Sequence, residues 1–258
     1  MNSSGVEIEF LGTGTSTGVP VIRCQCEVCR STDVRDKRFR SSVIVRTQGV
    51  NLLVDCGPDF RSQMLAVTNP EVDALLVTHI HYDHVGGLDD LRVFCGGGEH
   101  DMPVYARADV FEELKRHMDY CFVEHPYPGV PSFETHVIDD KAFSVFGVEV
   151  TPIPVMHGKL PIVGYRIGDV AYVTDAKTIP QESINKLRGV KLLVINALRH
   201  TQHHSHMTLE ESLSVIKDIN PQQAYLTHVC HEIGVHAQVE KQLPAGVKLA
   251  YDGLVVRI

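Results

Sequence analysis

The chain has 258 residues, 43% of them hydrophobic and 22% charged, which is ordinary for a globular protein with a substantial core. Its formal net charge of −8 disfavours a protein that grips nucleic acid through overall positive charge. The sequence contains no apolar run of the roughly 18 residues that a membrane span needs and no N-terminal signal segment, so we expect a cytoplasmic protein with no membrane partner.

The predicted elements alternate between short apolar strands and amphipathic helices. A first strand, Glu7–Leu11, is followed along the chain by three predicted hairpins, which turn at Gln48-Gly49, at Gly147 and at Gly168-Asp169. Hairpins join antiparallel strands, so the sheets are not expected to be purely parallel. Helical periodicity predicts helices over 110–118, 180–187 and 208–219, the last opening on a capping box. The glycines at 96–98 predict a loop that could serve as a lid.

Three apolar strands share one ending, a threonine followed by a residue type that binds metals. The shared endings are Thr78-His79, Thr174-Asp175 and Thr227-His228. This repeated ending predicts that metal ligands converge on one edge of a sheet.

The run His79-x-His81-x-Asp83-His84 carries the strongest chemical signal in the chain. It places three imidazoles and a carboxylate within six residues, directly after the apolar run 74–77. One metal ion needs three or four such ligands, and more candidates follow at His157, Asp175 and His228. Five histidines and two aspartates suit two adjacent metals. The alternative, a surface or structural histidine cluster, is disfavoured by the spacing behind a strand.

This run, with the three later ligands in that order, resembles the metallo-β-lactamase-fold hydrolases over nearly the whole chain. The resemblance implies one α/β domain over 1–258, an αββα sandwich of two mixed sheets flanked by helices. It also implies two divalent ions, zinc or manganese, and a metal-bridging hydroxide that Asp83 helps to orient. The implied ligands are His79, His81 and His157 for the first ion, Asp83, His84 and His228 for the second, and Asp175 as the bridge.

A second metal signal is the knuckle Cys24-x-Cys26-x-x-Cys29, at 24–29. Three clustered thiols and an odd total of seven cysteines favour a structural zinc site in a reducing compartment over a disulfide framework. The fourth ligand is predicted near His228, where both Cys230 and His231 are candidates; we favour His231.

The knuckle narrows the resemblance to the branch that contains the cyclic ribose-phosphate phosphodiesterase of the carbon–phosphorus lyase pathway. In that branch a histidine before the late helix assists the leaving group. The matching residue here is His206, at the predicted N-terminus of a helix, where we expect its pKa to be lowered. His200, His203 and His204 crowd the same loop, and a polar surface loop is the alternative for all four.

These motifs predict a metal-dependent phosphodiesterase that acts on small phosphodiesters or cyclic phosphates, with Asp83 and His206 as catalytic residues. Three alternatives stay open: a thioester or lactam hydrolase on the same metals, a tRNA 3′-end nuclease, and a non-catalytic accessory protein such as the one in pyrroloquinoline quinone biosynthesis. The acidic net charge and the lack of a Lys/Arg-rich insertion disfavour nucleic acid as the partner. A homodimer is a further expectation, because members of this family often pair.

Overall fold

The computed structural model describes residues 5–95, 100–123 and 129–258, so the predicted lid at 96–98 lies outside the described residues. Its fourteen strands are β1 Glu7–Gly12, β2 Ser42–Thr47, β3 Val50–Val54, β4 Ala74–Leu76, β5 Met102–Ala106, β6 Phe133–Val137, β7 Phe143–Val145, β8 Val148–His157, β9 Leu160–Ile167, β10 Val170–Val173, β11 Leu192–Asn196, β12 Gln223–Thr227, β13 Val247–Leu249 and β14 Val255–Arg257. The α-helices are α1 Glu27–Arg30, α2 Phe60–Ala66, α3 Tyr82–Val85, α4 Ala108–His117, α5 Gln181–Leu187, α6 Leu209–Ile219 and α7 His236–Glu240. Short 3-10 helices cover Val34–Asp36, Leu88–Phe94, Asp119–Cys121 and His231–Ile233. None of the helices in these ranges has the length and apolar character needed to cross a membrane.

The strands form two seven-stranded mixed sheets. The N-terminal sheet has the order β14-β1-β2-β3-β4-β5-β6, and the C-terminal sheet has the order β13-β12-β11-β10-β9-β8-β7. In each sheet one half pairs antiparallel and the other half pairs parallel. The three predicted hairpins are confirmed as β2–β3, β7–β8 and β9–β10. A fourth hairpin, β8–β9, was not predicted, and it makes His157 the last residue of a strand.

Alternating side chains of the strands supply three apolar cores, which explains the layered architecture. In β2, Val43 and Val45 face the opposite sheet, whereas Ile44 faces the outer layer that includes Phe60 of α2. In β12, Tyr225 faces the opposite sheet, whereas Ala224 and Leu226 face the outer layer formed with α5, α6 and α7. Because both faces of such strands are buried, their sequences are nearly continuous apolar runs, as in β2 and β12. The predicted αββα sandwich is therefore confirmed.

The strand directions bring the candidate ligands to one end of the sandwich. Parallel strands β3 and β4 of the N-terminal sheet end at the same edge, and so do β10, β11 and β12 of the C-terminal sheet. The prediction that the three Thr-ending strands share one sheet edge is wrong, since β4 belongs to one sheet and β10 and β12 to the other. The ligands converge across the gap between the two sheets instead.

Candidate metal centre

Backbone conformation at the strand ends directs key side chains into the centre. Asp55 after β3, Asp175 after β10 and His228 after β12 all adopt positive φ, at 62°, 57° and 53°. Such a conformation is uncommon for residues other than glycine and tends to occur at functional sites. Asn196, at the end of β11, fixes the turn after Asp175: its side chain accepts from the backbone N–H of Ala176 at 2.8 Å and donates to its carbonyl at 3.0 Å.

The loop after β3 also packs closely against α3, which carries part of the His79–His84 run. A Cβ added to Gly57 would lie 2.1 Å from the carbonyl oxygen of Asp83, so only glycine lets the loop after β3 approach α3 this closely. The neighbouring Cys56 N–H donates to the carbonyl of His84 at 2.7 Å. These contacts hold α3 against the end of β3 and thereby fix two of the candidate ligands.

Two groups of ligand atoms form the centre. His79, His81 and His157 make the first group, and Asp83, His84, Asp175 and His228 make the second. Asp175 also lies within reach of His157 and His206, so it belongs to both sides of the centre. The structure thus brings together all seven residues that the sequence singled out for the two ions, with Asp175 near ligand atoms of both groups.

In the first group the ring nitrogens that face away from the centre are already occupied. His157 Nδ1 donates to the carbonyl oxygens of Asp175 and Ser205, at 2.9 and 3.0 Å. His79 Nδ1 lies 2.9 Å from Thr78 Oγ1, whose hydroxyl donates to Asp55. These bonds leave Nε2 of both rings unprotonated and available to a metal.

The carboxylate of Asp55, which the sequence analysis did not single out, orients the second group. Asp55 is fully buried and accepts hydrogen bonds from His84 Nδ1 at 2.7 Å and from Thr78 Oγ1 and N at 2.8 Å. Carboxylates that orient metal-binding histidines in this way are typical of metal sites. The signal was present in Leu52-Leu53-Val54-Asp55, another apolar strand followed by an acidic residue.

The donor atoms fit metal ions by geometry and by their unmet bonding capacity. Bond lengths of about 2.0–2.1 Å for zinc–nitrogen and about 2.3 Å for zinc–sulfur place neighbouring tetrahedral ligand atoms about 3.3–3.6 Å apart. Nε2 of His84 lies 3.3 Å from a carboxylate oxygen of Asp83 and 3.3 Å from one of Asp175, and Nε2 of His228 lies 3.0 Å from Asp175. Both nitrogens are buried, and among the described residues neither forms a hydrogen bond of normal geometry, even with these nearby carboxylates. Buried polar atoms left in this state are rare, and metal coordination accounts for them.

The electrostatics of the second group favour a cation. Burial opposes the charged forms, yet Asp83 and Asp175 raise the pKa of His228 to about 9 and the pKa of His84 well above its usual value. His84 and His228 in turn hold the pKa of both carboxyls below its usual range. In the first group, burial and the neighbouring imidazoles lower the pKa of His79 and His81, which keeps these rings neutral. Neutral imidazoles and ionised carboxylates are the forms that bind divalent metals, so a metal ion in the second group would displace the protons of His84 and His228.

His206 lies against this centre, as predicted. Its ring is 4.6 Å from that of His157 and stacks on His228 at 4.8 Å, and its Nδ1 is 3.6 Å from Asp175 Oδ1. The pKa of His206 is lowered to about 2, but the reason differs from the predicted one: burial is the main cause and the charge of His228 the next. Of its neighbours in the loop, His203 packs beside it at 5.1 Å, whereas His200 bonds to the carbonyl of Ile233.

The cysteine knuckle forms a second, separate cluster. His231 Nδ1 lies 3.3 Å from the sulfurs of Cys24 and Cys26 and 3.6 Å from that of Cys29, spacings that match a tetrahedral zinc site. The N–H of Cys29 lowers the pKa of Cys26 to about 6, which favours a thiolate there, while burial raises the pKa of Cys29 to about 11. The Cys230 sulfur instead accepts from the N–H of Glu232, so His231 is the residue that the structure brings to the knuckle.

Comparison with known proteins supports what this geometry suggests. Residues 50–229 match the family model for the beta-lactamase superfamily domain. The chain belongs to the beta-lactamase superfamily. A crystal structure described as a new diphosphatase from the PhnP family superimposes with a TM-score of 0.92 and 39% identity, covering 98% of this chain and 97% of that one. The chain is thus a metallo-β-lactamase-fold hydrolase of the PhnP branch, as the sequence predicted.

Other known proteins are similar to this chain but differ from it in length or are less identical to it. An octanoyltransferase of Porphyromonas gingivalis is 44% identical over 95% of this chain, which spans only 50% of that longer relative. A ribonuclease Z of Mycobacterium sp. (strain KMS) is 29% identical over 75% of this chain and 69% of its own length. The zinc-bound PqqB of Methylobacterium extorquens has a TM-score of 0.78 at 21% identity, covering 98% of this chain and 100% of its own, and shares the fold.

Proposed function

We propose that this protein is a binuclear metal-dependent phosphodiesterase that opens cyclic ribose phosphates or cleaves other small phosphodiesters. The position of His206 carries the proposal, because a buried imidazole beside Asp175 can assist a leaving oxygen at the point where the two ligand groups meet. The similarity to a PhnP-family diphosphatase supports it, since a diphosphate is also cleaved at a phosphorus–oxygen bond.

In this proposal each residue has a defined task. His79, His81 and His157 would hold one ion, Asp83, His84 and His228 would hold the other, and Asp175 would be a ligand shared by both. When bound, two such ions supply an activated water near neutral pH and offset the negative charge that builds up on the phosphoryl oxygens. The ionised carboxylate of Asp83 accepts a hydrogen bond from the attacking water and so orients it.

His206 would act on the leaving oxygen. With its pKa near 2 the ring is neutral, so it donates an N–H hydrogen bond to the leaving oxygen as negative charge develops there. The structural zinc in the knuckle takes no part in the chemistry, because four protein ligands close its coordination shell.

A substrate panel tests the proposal. The zinc- and manganese-loaded protein should hydrolyse a cyclic ribose phosphate or bis-p-nitrophenyl phosphate, and Asp175→Asn should lose this activity. Asparagine is the chosen replacement because it tolerates the positive φ of 57° at this position. Turnover of thioesters or β-lactams alone, or phosphodiesterase activity that survives in Asp175→Asn, would refute the two-metal phosphodiesterase.

Acyl-thioester hydrolysis is the second candidate, and the name of the Porphyromonas gingivalis relative is the observation that favours it. The same two ions could polarise a thioester carbonyl. An octanoyl thioester of N-acetylcysteamine therefore belongs in the panel. A kcat/KM for this thioester well above that for every phosphodiester would favour the second candidate.

A further inference from the structure

A cleft of about 510 Å³ opens beside the metal centre. It lies between α3, the 3-10 helix that follows it and the C-terminal end of α4. His81, the exposed member of the first ligand group, lines this cleft as well. A substrate whose phosphate sits at the metal centre therefore has an adjoining space for its organic part.

The cleft has an apolar floor and tyrosine walls. Ile80, Val85, Leu114 and Met118 supply aliphatic and thioether surface, and Tyr82 and Tyr120 supply the aromatic rings. Tyr82 is 71% exposed although it is a large side chain. Its ring lies against Gly86, where an added Cβ would come within 2.8 Å of two ring carbons. The glycine thus lets the ring lie flat along the helix and present its other face outward.

The charges around the cleft are already balanced within the protein. Asp89 accepts from the Tyr120 hydroxyl at 2.9 Å and pairs with Arg92, and Glu113 pairs with Arg116. The described lining residues include no lysine or arginine, so apart from the imidazoles of His81 and His117 the cleft offers no basic side chain to a second phosphate group. The tyrosine rings offer aromatic faces on which a planar group can stack. The carboxylates of Asp89 and Glu113, whose charges are already paired, can still accept hydrogen bonds, so the cleft suits an uncharged planar group that donates them.

We propose that this cleft binds a planar, uncharged group of the alcohol that is esterified to the substrate phosphate, either an aromatic ring or a nucleobase carried on its sugar. The proposal rests on the phosphodiesterase function and specifies its substrate class. It makes Tyr82 a specificity-determining residue, which stacks on that planar group while the phosphate lies at the metal centre.

The test uses three phosphodiesters that share the p-nitrophenyl leaving group and differ in the other ester: methyl, phenyl and thymidine 5′. In the wild type kcat/KM should rise from the methyl to the aromatic esters. Stacking on an aromatic side chain commonly contributes about 1–3 kcal/mol, so Tyr82→Ala should lose about tenfold in kcat/KM on the aromatic esters, mainly through KM. The methyl ester should lose clearly less, because its only planar group is the p-nitrophenyl leaving group that all three esters share, and Tyr82→Phe should restore the preference. A similar kcat/KM for the phenyl and thymidine esters would indicate a general aromatic site, and a clearly higher value for the thymidine ester would indicate a nucleobase site.

Phe146 provides a matched control, because it is 64% exposed and lies in the turn between β7 and β8, away from the cleft. Phe146→Ala should keep the wild-type preference. An equal loss on all three esters in Tyr82→Ala, or no loss on any, would overturn the cleft proposal while leaving the phosphodiesterase intact.

If the wild type cleaves none of the esters, the proposed function fails instead. Calorimetric binding of phenyl phosphate against methyl phosphate, in wild type and Tyr82→Ala, then decides whether the cleft prefers a planar group.

Discussion

Asp55 shows at the residue scale how one buried carboxylate can organise a metal centre that it does not itself join. Its two oxygens bind His84, Thr78 Oγ1 and the Thr78 N–H, and Thr78 in turn orients His79. A single side chain therefore reaches one histidine of each ligand group. The apolar strand before Asp55 marks it as a candidate in the sequence, but its role depends on the positive φ that turns the carboxylate inward, which only the structure shows.

We expect Asp55→Asn to fold normally but to bind active-site metal about 10–100-fold more weakly, the usual cost of losing such an outer carboxylate. Asparagine has the same shape and tolerates the backbone conformation, so the loss reports on the charge. Metal retained during titration with a competing chelator measures the effect. Asp59→Asn is the control, since Asp59 pairs with Arg40 outside the ligand groups. Equal metal affinity in wild type and Asp55→Asn would show that the carboxylate is not needed.

His206 gives a second prediction at this scale. If its N–H assists the leaving oxygen, His206→Ala should lower kcat by roughly 10²–10³-fold for esters with poor leaving groups and much less for p-nitrophenyl esters. Metal content should stay at the wild-type level. The measurement is the dependence of kcat on leaving-group pKa, with the exposed His204→Ala as the control. A loss of the same size for every leaving group would contradict this role.

At the element scale, Glu211 joins the two segments that carry Asp175 and His206. Its carboxylate accepts from the Thr208 N–H at 2.8 Å, closing the capping box of α6, and from Lys177 Nζ at 3.0 Å. Lys177 follows Asp175 by two residues, and Thr208 follows His206 by two. The Met207 N–H also donates to the carbonyl of Ala176 at 2.9 Å. Together these bonds fix the separation of the bridging carboxylate and the leaving-group histidine.

Glu211→Ala should therefore reduce stability by about 1 kcal/mol through the lost cap and reduce kcat by several-fold through the loosened loop. Glu211→Gln keeps the capping geometry and should recover most of the stability. Thermal unfolding and kcat measure the two effects. Glu210→Ala, an exposed acid in the same helical turn, should change neither. An unchanged kcat in Glu211→Ala would show that the loop is held without this bond.

Sequence signals predict the elements that depend on neighbouring residues, but not the arrangements that depend on distant ones. The capping box at Thr208 and the glycine turns of three hairpins depend on neighbouring residues, so the sequence predicts them. The division of β4, β10 and β12 between two sheets depends on contacts between residues far apart in the chain, and the shared Thr ending does not reveal it. The Lys177–Glu211 pair, 34 residues apart, was missed for the same reason. The seven metal-ligand candidates were recognisable because their residue types are chemically distinctive.

At the scale of the whole molecule, the cysteine knuckle connects segments from opposite ends of the chain. Cys24, Cys26 and Cys29 follow β1, whereas His231 follows β12, and more than 200 residues separate the knuckle from this ligand. The two strands belong to different sheets. Backbone bonds between Thr13, Thr15 and Val229 run alongside, so zinc here would lock the sheets together next to His228.

We expect Cys29→Ser to lose one zinc ion per chain and to unfold at a lower temperature. A destabilisation of about 2 kcal/mol would lower Tm by about 4–8 °C in a domain of this size. Activity at saturating metal should largely remain, because the knuckle contributes no ligand to the active centre. Cys230→Ser is the control that discriminates between the two candidate fourth ligands. Its sulfur faces the Glu232 backbone, so it should retain all zinc. Loss of the ion in Cys230→Ser would make Cys230 the fourth ligand in place of His231. A full zinc complement in Cys29→Ser would remove the knuckle as the zinc-bound link between the two sheets.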